Sequence, residues 1–260
     1  MGIPIEVLYA ASGLCVGFIV GLTGVGGGSL MTPLLVLLFG IHPITAVGTD
    51  LLYASVTKSA GTLVHGFNRS IDWRIVGTLA LGSVPAAAIS LWILSQSGAQ
   101  SPGTAHFFAL SLGIMLLITA LSLIFRNQLS RFAHRHRELP PLPQAVLTTA
   151  FGAAIGVLVS ISSVGAGAIG VTVLMLLYPK LSLHRVIGSD IAHAVPLTLV
   201  AGAGHWLIGN VDWHMLLCLL AGSVPGVIIA SRLAPRINER IIRLLLAMVL
   251  IVVGGKLLMT

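Results

Sequence analysis

The sequence predicts an all-α polytopic membrane protein with two inverted-topology repeats, about 8–10 transmembrane segments and a glycine-rich broken helix in each half. Two observations lead to this prediction. Hydrophobic residues make up 56% of the 260-residue chain and charged residues only 8%, with a mean hydropathy of +1.03. A soluble domain carries about 25% charged residues, so this chain cannot cover a water-facing surface. The second observation is an internal repeat.

Short motifs of the first half return about 140 residues later in the second half. The glycine-rich stretch returns at an offset of 139, so one residue was inserted between the two blocks. A duplicated apolar half with a glycine-interrupted segment in each copy is typical of secondary transporters. The matched motifs are Val25-Gly26-Gly27-Gly28 with Val164-Gly165-Ala166-Gly167, Gly48-Thr49-Asp50 with Gly188-Ser189-Asp190, Asp72-Trp73 with Asp212-Trp213, and Gly82-Ser83-Val84-Pro85 with Gly222-Ser223-Val224-Pro225.

The apolar runs divide into eight long ones and two short ones. A transmembrane helix needs about 20 apolar residues, and the short runs at 29–40 and 169–178 fall below that length. Each short run follows a glycine-rich break, so half-helices, re-entrant hairpin arms and thinly spanning helices all remain open. The long runs lie at 5–22, 44–65, 74–95, 105–125, 143–160, 185–208, 213–231 and 241–259.

The basic residues predict both the orientation and the domain organisation. If each short run crosses the membrane, the basic loops all fall on one side, and the loops at 96–104 and 209–212 contain no Lys or Arg. The positive-inside rule then makes the halves inverted, the basic loops cytoplasmic and both termini external. The net charge of +7 therefore reports topology, and we expect no nucleic-acid partner. We predict a first repeat at 1–125, a basic cytoplasmic linker at 126–142 and a second repeat at 143–260.

The two glycine-rich breaks are the first candidate site. A helix that starts at Ser29 would point its free N–H groups and its positive dipole end back into the first break, an arrangement that binds anions. Helix packing is the alternative role for these glycines, because small residues also permit tight helix crossings. We predict that the breaks meet near the midplane and bind substrate. The predicted substrate-binding residues are Gly26, Gly27, Gly28, Ser29, Thr32, Lys58, Ser162, Ser163, Gly165 and Gly167.

Three charged side chains inside predicted spans form the second candidate site. Asp50, Lys58 and Asp190 would be costly in the bilayer unless paired or hydrated, so they indicate a functional cavity. Lys58 is predicted to attract the anion, with a structural salt bridge to an aspartate as the alternative. Asp190, beside His193 by the i,i+3 rule, is the first candidate for proton coupling and Asp50 the second. A structural hydrogen bond is the alternative for each aspartate.

Several of these motifs resemble those of the TauE/SafE family of sulfite exporters, over nearly the whole chain. The resemblance implies a multi-pass protein of a bacterial or archaeal inner membrane, or of another energised membrane. It also implies ion-gradient-driven transport of sulfite, sulfonates or related small sulfur-containing anions. The matching features are Gly21-x-x-Gly-x-Gly-Gly-Gly28, Val47-Gly48-Thr49, Ile187-Gly188-Ser189, Asn210-x-Asp-Trp213 and the duplicated Gly-Ser-Val-Pro.

The function predicted from these observations is secondary transport. The substrate would be a small sulfur-containing anion such as sulfite or an organosulfonate, moved across the cytoplasmic membrane by proton-coupled alternating access. An anion channel is the first alternative. An intramembrane enzyme is the second, although the chain has no G-x-S-x-G element. The expected partners are the lipid bilayer, the anion and a coupling proton or cation. No cofactor and no metal site are predicted, and the sequence leaves a homodimer open.

Overall fold

A computed structural model describes residues 4–23, 28–67, 69–96, 102–135, 140–233 and 239–259. These residues form ten α-helices and contain no β-strand. The all-α prediction is therefore confirmed for the described part of the chain. The helices are α1 (Ile5–Thr23), α2 (Gly28–Leu37), α3 (Pro43–Phe67), α4 (Trp73–Gln96), α5 (Pro102–Arg135), α6 (Pro141–Ser162), α7 (Ala168–Leu177), α8 (Leu183–Leu207), α9 (Trp213–Leu233) and α10 (Glu239–Leu258).

Eight of the ten helices are long. Seven of them, all but α3, are both long and apolar enough to cross a membrane. Helix α3 has 25 residues but carries Asp50 and Lys58 within its length. Large apolar side chains cover the outside of the bundle: Leu207 is 82% exposed and Leu81 is 74% exposed. An apolar exterior of this kind faces lipid, as the composition predicts.

The two short helices, α2 and α7, have ten residues each. At 1.5 Å per residue each is about 15 Å long, half of a roughly 30 Å hydrocarbon core. Thr32 of α2 contacts Asp50, the eighth residue of α3, and Gly170 of α7 contacts Asp190, the eighth residue of α8. Each short helix thus begins partway along the next long helix and runs antiparallel to it. Both have the form of half-helices.

Helices of one half pack against helices of the other. Helix α1 packs along α9 and its equivalent α6 packs along α4, while α3 pairs with α8 and α5 with α10. The N–H of Asp72, just after α3, donates to Ser189 Oγ near the start of α8 (2.8 Å). Reciprocally, the N–H of Asp212, after α8, donates to Thr49 Oγ1 near the start of α3 (3.1 Å). Helices α3 and α8 are therefore antiparallel, which is the relation expected between equivalent helices of inverted repeats.

The duplicated Gly-Ser-Val-Pro motif lies where the halves cross most closely. Gly82 of α4 lies against the carbonyl of Thr149 in α6, and Gly222 of α9 lies against the carbonyl of Ala10 in α1. Neither glycine has room for a Cβ atom. For this motif, close helix packing explains the repetition.

Helix α5 reaches further than the predicted span. Residues 126–135 of the predicted linker continue α5 as far as Arg135, and α6 begins at Pro141. A helix of 34 residues is about 51 Å long, so its basic end extends beyond a hydrocarbon core of about 30 Å. Arg243 Nη2 of α10 donates to Asn127 Oδ1 of this end at 3.1 Å. The side of the membrane on which these basic ends lie stays a prediction.

Candidate functional site

The second break is a tight turn between α6 and α7. Helix α6 is capped by Ser163, which has a left-handed φ of 58° and donates its N–H to the Val159 carbonyl at 2.8 Å. Gly165 and Gly167 follow with φ of 125° and 136°, a conformation that glycine adopts at little cost. In the first break, Gly26 and Gly27 lie outside the described residues, and Gly28 begins α2. Whether the two breaks meet stays a prediction.

Lys58 connects the first half to the second break. Its Nζ donates to the Ala166 carbonyl at 3.1 Å, and the side chain is only 7% exposed. Asp190 and Asp50 both attract this ammonium electrostatically. Among the described residues, neither carboxylate forms a direct ion pair with Lys58. Lys58 therefore makes no direct salt bridge with Asp50 or Asp190 in this structure.

Asp50 lies among hydroxyl groups. Its carboxyl is fully buried and accepts a hydrogen bond from the Thr32 hydroxyl of α2 at Oδ2. The hydroxyl of Ser163 in the second break lies near the same carboxyl without a hydrogen bond of normal geometry to it. Ser29 lies one helical turn from Thr32, on the same face of α2. Asp50 therefore receives polar groups from both halves of the molecule.

Asp190 has different surroundings. Its carboxyl is 2% exposed and packs directly on Gly170 of α7, where no Cβ atom would fit.

Sequence reasoning missed Gly170 and the Ala166 carbonyl. A glycine inside a ten-residue apolar helix was the available signal for the first. The second had none, because a backbone carbonyl carries no sequence signature.

His193 bonds to α4 and forms no hydrogen bond with Asp190 in the described part of the structure. Its Nε2 and the Ser83 hydroxyl share a hydrogen bond of 2.8 Å. The equivalent pair in the other half, Tyr53 and Ser223, shares one of 2.6 Å. Because both halves make this contact, it belongs to the packing framework. A role for His193 in proton coupling stays a prediction.

Ser162 uses its hydroxyl to shape the break. Its Oγ donates to the Leu158 carbonyl at 2.7 Å and accepts from the Val164 N–H at 3.2 Å. The hydroxyls of Ser29 and Ser163, in contrast, are buried without a partner in the described ranges. The Ser162 hydroxyl is therefore used within the turn, whereas the hydroxyls of Ser29 and Ser163 are available to a ligand.

Unpartnered polar atoms surround this region of the bundle. A buried polar atom without a hydrogen bond costs about 1–3 kcal/mol, so several together indicate that water or a ligand belongs there. Half-helices that begin beside buried charges are the arrangement by which carrier proteins bind ions. The fold and this site are those of a membrane transporter. Among the described residues, the unpartnered atoms include four at this site: Ser29 Oγ, Asp50 Oδ1, Ser163 Oγ and Asp190 Oδ2.

Comparison with known proteins identifies the family. The chain belongs to the TauE/SafE family, because the family model described as "Sulfite exporter TauE/SafE" matches residues 9–257. It is 39% identical over 248 residues to the probable membrane transporter protein YjnA of Bacillus subtilis, covering 95% of this chain and 97% of that protein. It is 25% identical over 261 residues to the probable membrane transporter protein MJ0441 of Methanocaldococcus jannaschii, covering 93% and 92%. No solved structure matches. The family resemblance and the multi-pass membrane character are both confirmed.

Proposed function

We propose that this transporter moves a small sulfur-containing anion, such as sulfite or an organosulfonate, across the cytoplasmic membrane by proton-coupled alternating access. One observation carries the proposal. Lys58 of the first half reaches the second break and donates to the Ala166 carbonyl, beside buried polar atoms that have no partner in the described residues. The family description, which names sulfite export, supports the substrate class.

The anion would bind at Lys58. An ammonium in a buried site is weakly screened and attracts an anion strongly. Helix α7 starts at Ala168, two residues after Ala166, so its first N–H groups and the positive end of its dipole add to the attraction. An arriving anion would replace the neutral Ala166 carbonyl as the partner of Lys58.

Asp190 would carry the proton. Lys58 interacts electrostatically with Asp190, so an anion at Lys58 adds negative charge beside Asp190. Proton uptake by Asp190 would offset that charge, since uncompensated buried charge is expensive. Anion binding and protonation are then coupled.

Alternating access would involve the two half-helices. Helix α7 is held on α5, because the hydroxyls of Ser122 and Thr172 share a hydrogen bond of 2.6 Å. At the equivalent place an apolar groove of about 390 Å³ separates α2 from α10, between side chains such as Leu34 and Val253. In the opposite state, α2 would close on α10 and α7 would leave α5, which exchanges the conformations of the two halves.

Proteoliposome uptake tests the proposal. Sulfite, sulfate, thiosulfate and methanesulfonate are supplied with and without an imposed pH gradient, alongside liposomes lacking the protein. We expect saturable uptake of at least one sulfur-containing anion, stimulated by the gradient. A steady, voltage-dependent conductance that does not saturate identifies an anion channel. Uptake without any response to the pH gradient contradicts proton coupling.

A further inference from the structure

We propose that Asp50, Thr32 and Ser163 form a sodium site. The site is separate from Asp190, and it rests on the proposed function only in its link to anion binding. Three side-chain oxygens converge there from three segments: α2, α3 and the second break. The site therefore joins both halves of the molecule, and filling it would tie α2 to the second break.

The ligands are buried and incompletely bonded. Asp50 is 0% exposed, Thr32 is 0% exposed and Ser163 is 6% exposed. Asp50 Oδ1 and Ser163 Oγ have no hydrogen-bond partner in the described part of the chain. Ser29, one turn along α2, has a third such oxygen, its hydroxyl. A proton on Asp50 occupies a single oxygen, whereas a cation uses all the converging oxygens.

Oxygen ligands of this kind suit a hard cation. In transporters with broken helices, Na⁺ is coordinated beside the unwound segment, as it would be here. A single carboxylate with neutral hydroxyls, near the ammonium of Lys58, favours a single positive charge over a divalent ion.

Charge balance supports the same conclusion. Asp50, Asp190 and Lys58 together carry a charge of −1 when all are ionised. One sodium ion brings the empty site to neutrality, so an anion then enters a neutral site and not a negative one. Sodium should therefore raise the affinity for the anion, and by linkage the anion should raise the affinity for sodium.

The other half lacks these ligands. Thr172, the equivalent of Thr32, bonds to Ser122 and to the Ala168 carbonyl. Asp190 packs on Gly170 and has no hydroxyl donor in the described residues. The chain thus offers a matched control, Thr172→Ala for Thr32→Ala.

Thermal unfolding of the purified full-length protein in detergent tests the site. Tm is measured in NaCl, KCl and choline chloride at equal ionic strength. We expect a saturable rise of roughly 3–5 °C with sodium alone. Thr32→Ala and Asp50→Asn should remove the rise or weaken the apparent sodium affinity by about tenfold or more. Thr172→Ala should retain it. Ser163→Ala, which should weaken sodium binding similarly, replaces Asp50→Asn if that variant does not fold.

Equal Tm values in sodium and potassium would overturn the proposal, as would a sodium response that persists in Thr32→Ala and Ser163→Ala. Anion uptake in proteoliposomes separates this inference from the proposed function. Sulfur-anion uptake with an unchanged KM in sodium-free medium leaves the function standing and contradicts the site. Sodium stabilisation without uptake of any sulfur-containing anion supports the site and contradicts the substrate.

Discussion

Asp50 and Asp190 occupy equivalent positions in the two halves, yet their surroundings differ. Asp50 accepts a hydrogen bond from Thr32, whereas the equivalent Thr172 bonds to α5 and leaves Asp190 against Gly170. The helix contacts around them, in contrast, are repeated faithfully, as in the reciprocal bonds of Asp72 and Asp212 to the opposite half. The duplication thus preserved the packing framework, while the chemistry of the two carboxylates diverged.

Removing the charge of Lys58 should have the largest effect, because Lys58 serves both halves and its equivalent, Thr198, is neutral. We expect Lys58→Met to reduce kcat/KM for the anion by about 100-fold or more, since truncating one member of a buried charged contact costs several kcal/mol. Proteoliposome uptake measures this loss. Lys180→Met, which removes an exposed lysine, is the control and should transport normally. Recovered transport in Lys58→Met/Asp190→Asn would show that Lys58 is only a salt-bridge partner.

Locking α7 onto α5 should nearly stop transport, if the two halves exchange conformations. The hydroxyls of Ser122 and Thr172 are 2.6 Å apart, so cysteines at these positions would face each other. The Ser122→Cys/Thr172→Cys pair is made in a Cys15→Ala/Cys218→Ala background, which removes the free cysteines of the described chain. We expect loss of uptake on oxidation and recovery on reduction. Full uptake by the oxidised, cross-linked protein would show that this contact does not open.

Filling the space beside Asp190 should have an intermediate effect. Gly170→Ala places a methyl group where the carboxylate lies, so Asp190 must move away from α7. We expect pH-driven accumulation to fall by about tenfold, equivalent to about 1.4 kcal/mol. Gly77→Ala, at an open position in α4, should accumulate substrate normally. An unchanged response to the pH gradient in Gly170→Ala would argue against proton transfer at Asp190.

The smallest effect should distinguish the neighbouring serines of the second break. Ser163→Ala removes an available hydroxyl and should raise KM a few-fold, because it faces the site. Ser162→Ala removes a hydroxyl that is already bonded within the turn, so we expect an unchanged KM and a loss of about 1 kcal/mol in stability. Uptake kinetics and thermal unfolding measure the two effects. The opposite pattern would mean that Ser162 faces the substrate.

Much of the fold could be predicted because its signals are local in the chain. Hydropathy predicted the long spans, and glycine-rich breaks followed by short apolar runs predicted α2 and α7 within one or two residues at their starts. The end of α5 could not be predicted in this way, because residues 126–135 are too polar for a span but remain helical. Hydropathy indicates whether a segment lies in lipid or in water. It does not indicate where a helix ends, because a helix can continue from the membrane into water.

By itself, the sequence determined a duplicated membrane bundle in which Asp50, Lys58 and Asp190 lie within the spans, because apolar length and the cost of buried charge constrain every such chain. Only the tertiary structure decided which groups meet. Lys58 bonds to a carbonyl 108 residues away, and two equivalent threonines turn to different partners. Neither outcome has a local signal, since the direction of each side chain is decided by the helix that packs against it.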